Sequence, residues 1–195
     1  MDSFRPEGYF LLEGEPLFDP KIHLQLEPPG QVVSLEEFGY SAEEIATCPS
    51  NFAVTDVFRI LSHEGSVCLY KACKTLEEFA KTMPRGTARR CRGGAYRSRF
   101  LRDLCLSKDV CDFMSNIGGV QLMPHTMPHQ LGHLNFAPTD STVDSGNIDK
   151  WHVDTLRYDY VMFVTDPKSH KGGQFQYFKV RIYLYSSISG RNWPA

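Results

Sequence analysis

His152 and Asp154 lie two residues apart in the run WHVDTLRYDYVMFV, where β-branched and aromatic side chains favour an extended backbone. Residues i and i+2 of an extended chain leave the same face, so one imidazole and one carboxylate are presented side by side. Such a pair supplies two corners of a 2-His-1-carboxylate facial triad, the arrangement that holds non-haem Fe(II) with positions left open for a co-substrate and oxygen. His152 and Asp154 are therefore the candidate catalytic and metal-ligating residues. The spacing alone is weak, because 7 histidines and 12 aspartates in 195 residues produce about 0.4 His-x-Asp tripeptides by chance. Context adds weight: a segment apolar on both faces, Tyr158 to Val164, follows the pair, then a polar turn, then Gly172 and Gly173 before an aromatic strand.

The other histidines offer less. His125, His129 and His133 repeat every four residues, a helical spacing for zinc, but Pro124, Pro128 and Gly132 oppose a continuous helix there. In a strand they could still share a face, which makes His133 or His129 a candidate for a substitute third ligand. The plainer reading is that they are ordinary hydrogen-bonded histidines. Asn135, on the expected strand before the pair, is a candidate co-substrate contact, although satisfying backbone groups is the favoured role. Trp151 is expected to pack, Arg157 to point away from His152 because its offset is odd, His170 to sit in a loop, and His23 and His63 to be solvent or cap residues.

The elements that must position this chemistry emerge from pattern and punctuation. Residues 1–50 carry a local charge of −8 and many prolines, and are expected to wrap the domain, with short helices between Leu35 and Ala46 capped by Ser34/Glu37 and Ser41/Glu44. Residues 51–119 form a helical support region. Helices are expected over Asn51 to His63, from Thr75 to a stop at Pro84, and over Ser107 to Ile117, the last ended by Gly118 and Gly119. Strands are expected at Val120–Met123, Leu131–Phe136, Trp151–Thr165 and Gln174–Phe178, within a region spanning 120–178. Helices first and strands later indicate an α+β fold.

Charge and composition exclude some functions. No run is long and apolar enough for a membrane span, and the start lacks a secretory layout, so a cytoplasmic location is expected, with the nucleus as the other possibility. The six cysteines form no metal or redox spacing, and most of them read as small buried hydrophobes. Seven arginines between Arg85 and Arg102, interleaved with Tyr96 and Phe100, could grip phosphates and stack on bases. A net charge of −2 favours instead their pairing with the acidic first third, so nucleic acid is not the expected partner.

The run HVD, then YDYVMFVTDP, then GGQFQYF resembles the first half of the double-stranded β-helix of Fe(II)/2-oxoglutarate-dependent dioxygenases. RGGAYRSRFLRDL and PHTMPHQLGHLNFAP are similar to the helical and first-strand region of uncharacterised fungal and microbial members, so the resemblance spans roughly Val54 to Phe178. It implies a helical N-terminal layer on an incomplete jelly roll, His152 and Asp154 as Fe(II) ligands, 2-oxoglutarate as co-substrate, and hydroxylation of an unidentified small-molecule or peptidyl substrate. The family's late second histidine and its arginine or lysine for the distal carboxylate have no match, since only 41 residues come after Asp154 and the last 17 contain no histidine. Residues 179–195 depart from the pattern. Lys179-Val180-Arg181 can be encoded as a splice-donor consensus, so the tail is expected to be translated intron or an alternative end. The competing expectation is a truncated or catalytically dead relative acting as a metal-binding or interaction module. An unfinished barrel would also expose strand edges and reduce solubility.

Overall fold

A computed structural model describes residues 12–82, 88–137, 152, 154, 156–169 and 176–177. The fold is α+β: short antiparallel pairs surround three helices that carry most of the core. In chain order the elements are α1 (Pro20–His23), β1 (Leu24–Glu27), β2 (Val32–Ser34), α2 (Ala42–Ile45), β3 (Phe52–Thr55), β4 (Arg59–Leu61), α3 (His63–Leu76), β5 (Lys81–Thr82), β6 (Arg89–Cys91), α4 (Arg99–Cys105), α5 (Lys108–Gly118) and β7 (Leu134–Phe136). The strands pair as β1 with β4, β2 with β3, and β5–β6–β7, all antiparallel. Among the described residues these small sheets do not join into a double-stranded β-helix.

The stretch expected to be helical over Asn51–His63 is not, apart from His63, which begins α3. Phe52 and Val54, then Phe58 and Ile60, alternate, and the β-branched residues of this stretch favour strands β3 and β4 over a helix. Ser62 opens the next element: its hydroxyl accepts the Gly65 N–H at 3.0 Å and caps α3. Leu69, Ala72, Cys73 and Leu76 fall at i, i+3, i+4 and i+7 and form its buried stripe. The helix expected to start at Thr75 is therefore the end of α3, which stops at Leu76, and a single 3-10 turn over Glu77–Phe79 leads into β5. Pro84 lies outside the described residues. At Gly65 any Cβ would come within 2.2 Å of the His23 carbonyl oxygen, so only glycine lets α1 and α3 approach this closely.

Two expectations match in detail. Ser41 and Glu44 form a reciprocal capping box on α2, while the same chemistry at Ser34 and Glu37 closes a turn instead of a helix. Helix α5 starts after Ser107 and ends on Gly119, whose φ of 65° is the left-handed conformation that terminates helices. Val120–Met123 forms no strand, and the strand expected over Leu131–Phe136 shortens to β7.

The acidic wrap meets the arginine segment through a helix end. The Glu15 carboxylate accepts from Ser98 Oγ at 2.5 Å, Arg99 N at 2.8 Å and Phe100 N at 3.4 Å, which satisfies the N-terminus of α4. Glu15→Ala leaves the buried Ser98 hydroxyl without this acceptor, and a loss of about 1–3 kcal/mol in urea denaturation is expected. Two of the arginine side chains pair outside the first third, Arg89 with Glu77 at 2.5 Å and Arg102 with Asp103 at 3.0 Å, and Arg97 lies over the Phe79 ring at 3.9 Å. Phe100 cannot stack on bases, because it is 1% exposed at the centre of the core. His23 is likewise no solvent residue; it is buried edge-on against Phe100, and its Nδ1 accepts the Asp19 N–H at 2.9 Å. His63 is exposed, as expected.

Candidate metal half-site

The segment that carries His152 and Asp154 is fixed to the body of the protein by residues on its C-terminal side. Tyr158 packs against Phe52 of β3, with ring centroids 6.1 Å apart, and its hydroxyl lies 2.7 Å from Ser50 Oγ. Met162 and Val164 pack on the core while Val161 and Phe163 remain exposed, so alternate side chains of an extended run face opposite ways. Residues 156–165 nonetheless form no strand. Arg157 is exposed. Trp151, His170, Gly172 and Gly173 lie outside the described residues, as do the tail from 178 onward and all of the Gln174–Phe178 strand except Gln176 and Tyr177.

The two candidate ligands meet. His152 Nε2 lies 3.3 Å from Asp154 Oδ1, with 29% of the imidazole and 63% of the carboxylate side chain exposed. Two donors each about 2.1 Å from one metal ion are separated by ~3.0 Å at a right angle and ~3.4 Å at the tetrahedral angle, so the observed spacing suits two adjacent coordination positions. Both side chains are thus partly open to solvent. Asp159, five residues on, has its carboxyl pushed up, mainly by burial and further by the charge of Asp154, against a hydrogen bond from Tyr160 N at 2.8 Å.

A third ligand is not brought to the pair: among the described residues no group of three or more His, Cys, Asp or Glu could hold a metal ion. His133 is engaged elsewhere, its Nε2 3.2 Å from the His129 carbonyl oxygen and its ring 6.5 Å from that of His129. His125 Nδ1 accepts the Met127 N–H at 3.0 Å. Asn135 sits in β7 directly across from Arg90, exposed on the sheet. The co-substrate contact thus belongs to β7, and the candidate substitute ligand His133 is the residue just before it. A surface cleft of about 550 Å³ lies elsewhere again, between α1, β1 and α5, lined by Lys21, Leu24, Leu26, Asp109, Phe113 and Asn116 among others.

The cysteines are free, and several are buried deeply enough to be unreactive. Burial pushes the Cys73 thiol up to about 12, with Cys91 beside it adding to the effect, and burial takes Cys105 to about 11. Thiolate is the reactive form, so alkylation of the native protein near neutral pH is expected to label the partly exposed Cys48 and Cys68 well before Cys73. Peptide mapping after iodoacetamide treatment checks the order. Equal labelling of Cys73 and Cys48 would contradict the burial.

No helix among the described residues is long and apolar enough to cross a membrane. Comparisons of the chain with family models, with curated proteins and with solved structures return no match.

Proposed function

We propose that the chain is an Fe(II)/2-oxoglutarate dioxygenase-like protein in which His152 and Asp154 form one half of a divalent metal site. The observation that supports this most is the 3.3 Å separation of His152 Nε2 and Asp154 Oδ1. The motif order after the pair supports the same reading, with the apolar run 158–164 standing where the family's next strand follows the pair and with Met162 and Val164 packed on the core. In this proposal His152 contributes a neutral imidazole nitrogen and Asp154 a carboxylate charge, so metal uptake competes with protons. Bound Fe(II) with 2-oxoglutarate and oxygen supplies the oxidising power for hydroxylation. The exposure of Asp154 leaves the remaining positions open to co-substrate and water.

The second reading, a relative that binds metal or a partner without turnover, draws support from the lack of a third ligand among the described residues. Anaerobic titration with Fe(II) and 2-oxoglutarate separates the two. A visible charge-transfer band followed by succinate release on admitting air is the oxygenase outcome. Fe(II) binding without either signal is the outcome for the inactive relative. Absence of Fe(II) binding would reject both as metal proteins.

A further inference from the structure

The cleft between α1, β1 and α5 takes no part in the metal proposal, and its two walls are unlike each other. On one side Leu24 and Leu26 stand two residues apart on β1, so both leave the same face and pack on the core, while Gln25 and Glu27 are exposed. On the other side Asp109, Asp112, Phe113 and Asn116 fall at i, i+3, i+4 and i+7 of α5 and share one helix face. Where a helix packs on its neighbour, that spacing carries apolar side chains. Here three of the four are polar, and Phe113 alone continues onto the core, 5.9 Å from Phe58 between ring centroids. A polar helix face across from an apolar strand face leaves a space of about 550 Å³, within the size range of small-molecule sites.

The polar groups that line the cleft are of three kinds. Lys21 brings a positive charge from α1, Asp109 a negative one from α5, and Asn116 an uncharged amide. Among the described residues no hydrogen bond or ion pair holds the Lys21 ammonium, the Asp109 carboxylate or the Asn116 amide, whereas Asp112 is already paired with Lys108. The helix dipole favours an acid in the first turn, which suits Asp109, but it does not account for Asn116 two turns further on. A ligand that meets both walls must carry a carboxylate at one end and an ammonium at the other. Two extended residues separate such ends by up to ~7 Å, whereas a single amino acid carries both charges on one carbon. An asparagine side chain offers both a donor and an acceptor, the same complement as a peptide group. Leu24, Leu26 and Phe113 supply apolar surface for side chains between the charged ends.

We propose that this cleft binds a free dipeptide with apolar side chains, its carboxylate on Lys21, its ammonium on Asp109, its peptide group on Asn116 and its side chains over Leu24, Leu26 and Phe113. The test is calorimetric titration of the full chain with leucyl-phenylalanine, with its N-acetyl form and with its C-terminal amide. Saturable binding of the free dipeptide is expected, with each blocked form at least tenfold weaker because it lacks one charge-assisted hydrogen bond. Asp109→Asn should weaken the free dipeptide at least tenfold yet leave the affinity for the N-acetyl form unchanged. Lys21→Met should weaken the free dipeptide by as much and leave the affinity for the amide unchanged. Both substitutions are at exposed positions, so the fold should survive them, and Lys81→Met on β5 should change nothing. The proposal is overturned if leucyl-phenylalanine shows no saturable binding, if the blocked forms or free leucine bind as tightly as the dipeptide, or if neither Asp109→Asn nor Lys21→Met alters binding.

Discussion

His152→Ala is expected to weaken Fe(II) or Mn(II) binding by at least about 100-fold, since altering groups that merely support a ligand already costs about 10–100-fold. Asp154→Asn should do nearly as much, because the amide retains an oxygen but loses the charge that a hard divalent ion requires. The same two variants should leave folding almost untouched. As a bare ion pair, two partly exposed side chains contribute roughly 0–1 kcal/mol, and neither ring nor carboxylate belongs to the core. A metal role therefore predicts a wide gap between lost affinity and retained stability. Isothermal titration alongside urea denaturation measures both, and an affinity unchanged in His152→Ala would remove the metal role from the pair.

Phe100→Ala is expected to show the reverse pattern, a loss of about 3–5 kcal/mol in stability with no direct effect on the pair. Phe100 is 1% exposed and meets Phe18 and His23 edge-on, at 5.5 and 5.0 Å between ring centroids. Its removal thus opens a cavity between α4 and the segment leading into α1, where Glu15 also binds. Domains of this size have total stabilities of about 5–15 kcal/mol, so such a loss takes a large share and should be visible as a clear shift in the denaturation midpoint. A shift of less than about 1 kcal/mol would mean that the aromatic cluster is not part of the folded core.

The fold is legible in the sequence wherever punctuation and periodicity agree. At α5 they do: a serine before the apolar stripe and paired glycines after it bracket one helix. At Asn51–His63 they conflict. Phe52, Val57, Phe58 and Leu61 can be fitted to a helical period, while the β-branched residues and the alternation of Phe52 with Val54 favour strands that only pairing with β1 and β2 stabilises. Ser62 belongs to the next helix, and the stripe Leu69, Ala72, Cys73, Leu76 is the signal in the sequence that marks α3. Isolated strands of three or four residues such as β1 and β4 are visible only through partners far along the chain, which single-segment patterns do not contain.

The candidate site divides in the same way. The meeting of His152 with Asp154 is local, set by an i, i+2 offset, and needs no knowledge of the rest of the fold. A third ligand is a long-range property, and the equal spacing of His125, His129 and His133 carries no information about which sheet they join. The arginine segment differs from its sequence expectation for a related reason. Its residues do not act as one patch: alternation along β6 sends Arg89 towards Glu77 and Arg90 towards Asn135, while Phe100 disappears into the core.

The most direct test of the metal proposal locates the ion itself. In a proton NMR titration with substoichiometric Mn(II), the His152 ring resonances, assigned by comparison with His152→Gln, should broaden before those of His125, His129, His133 and the buried His23. Uniform broadening of all exposed histidines, or broadening that begins at His129 and His133, would contradict a metal site at His152 and Asp154.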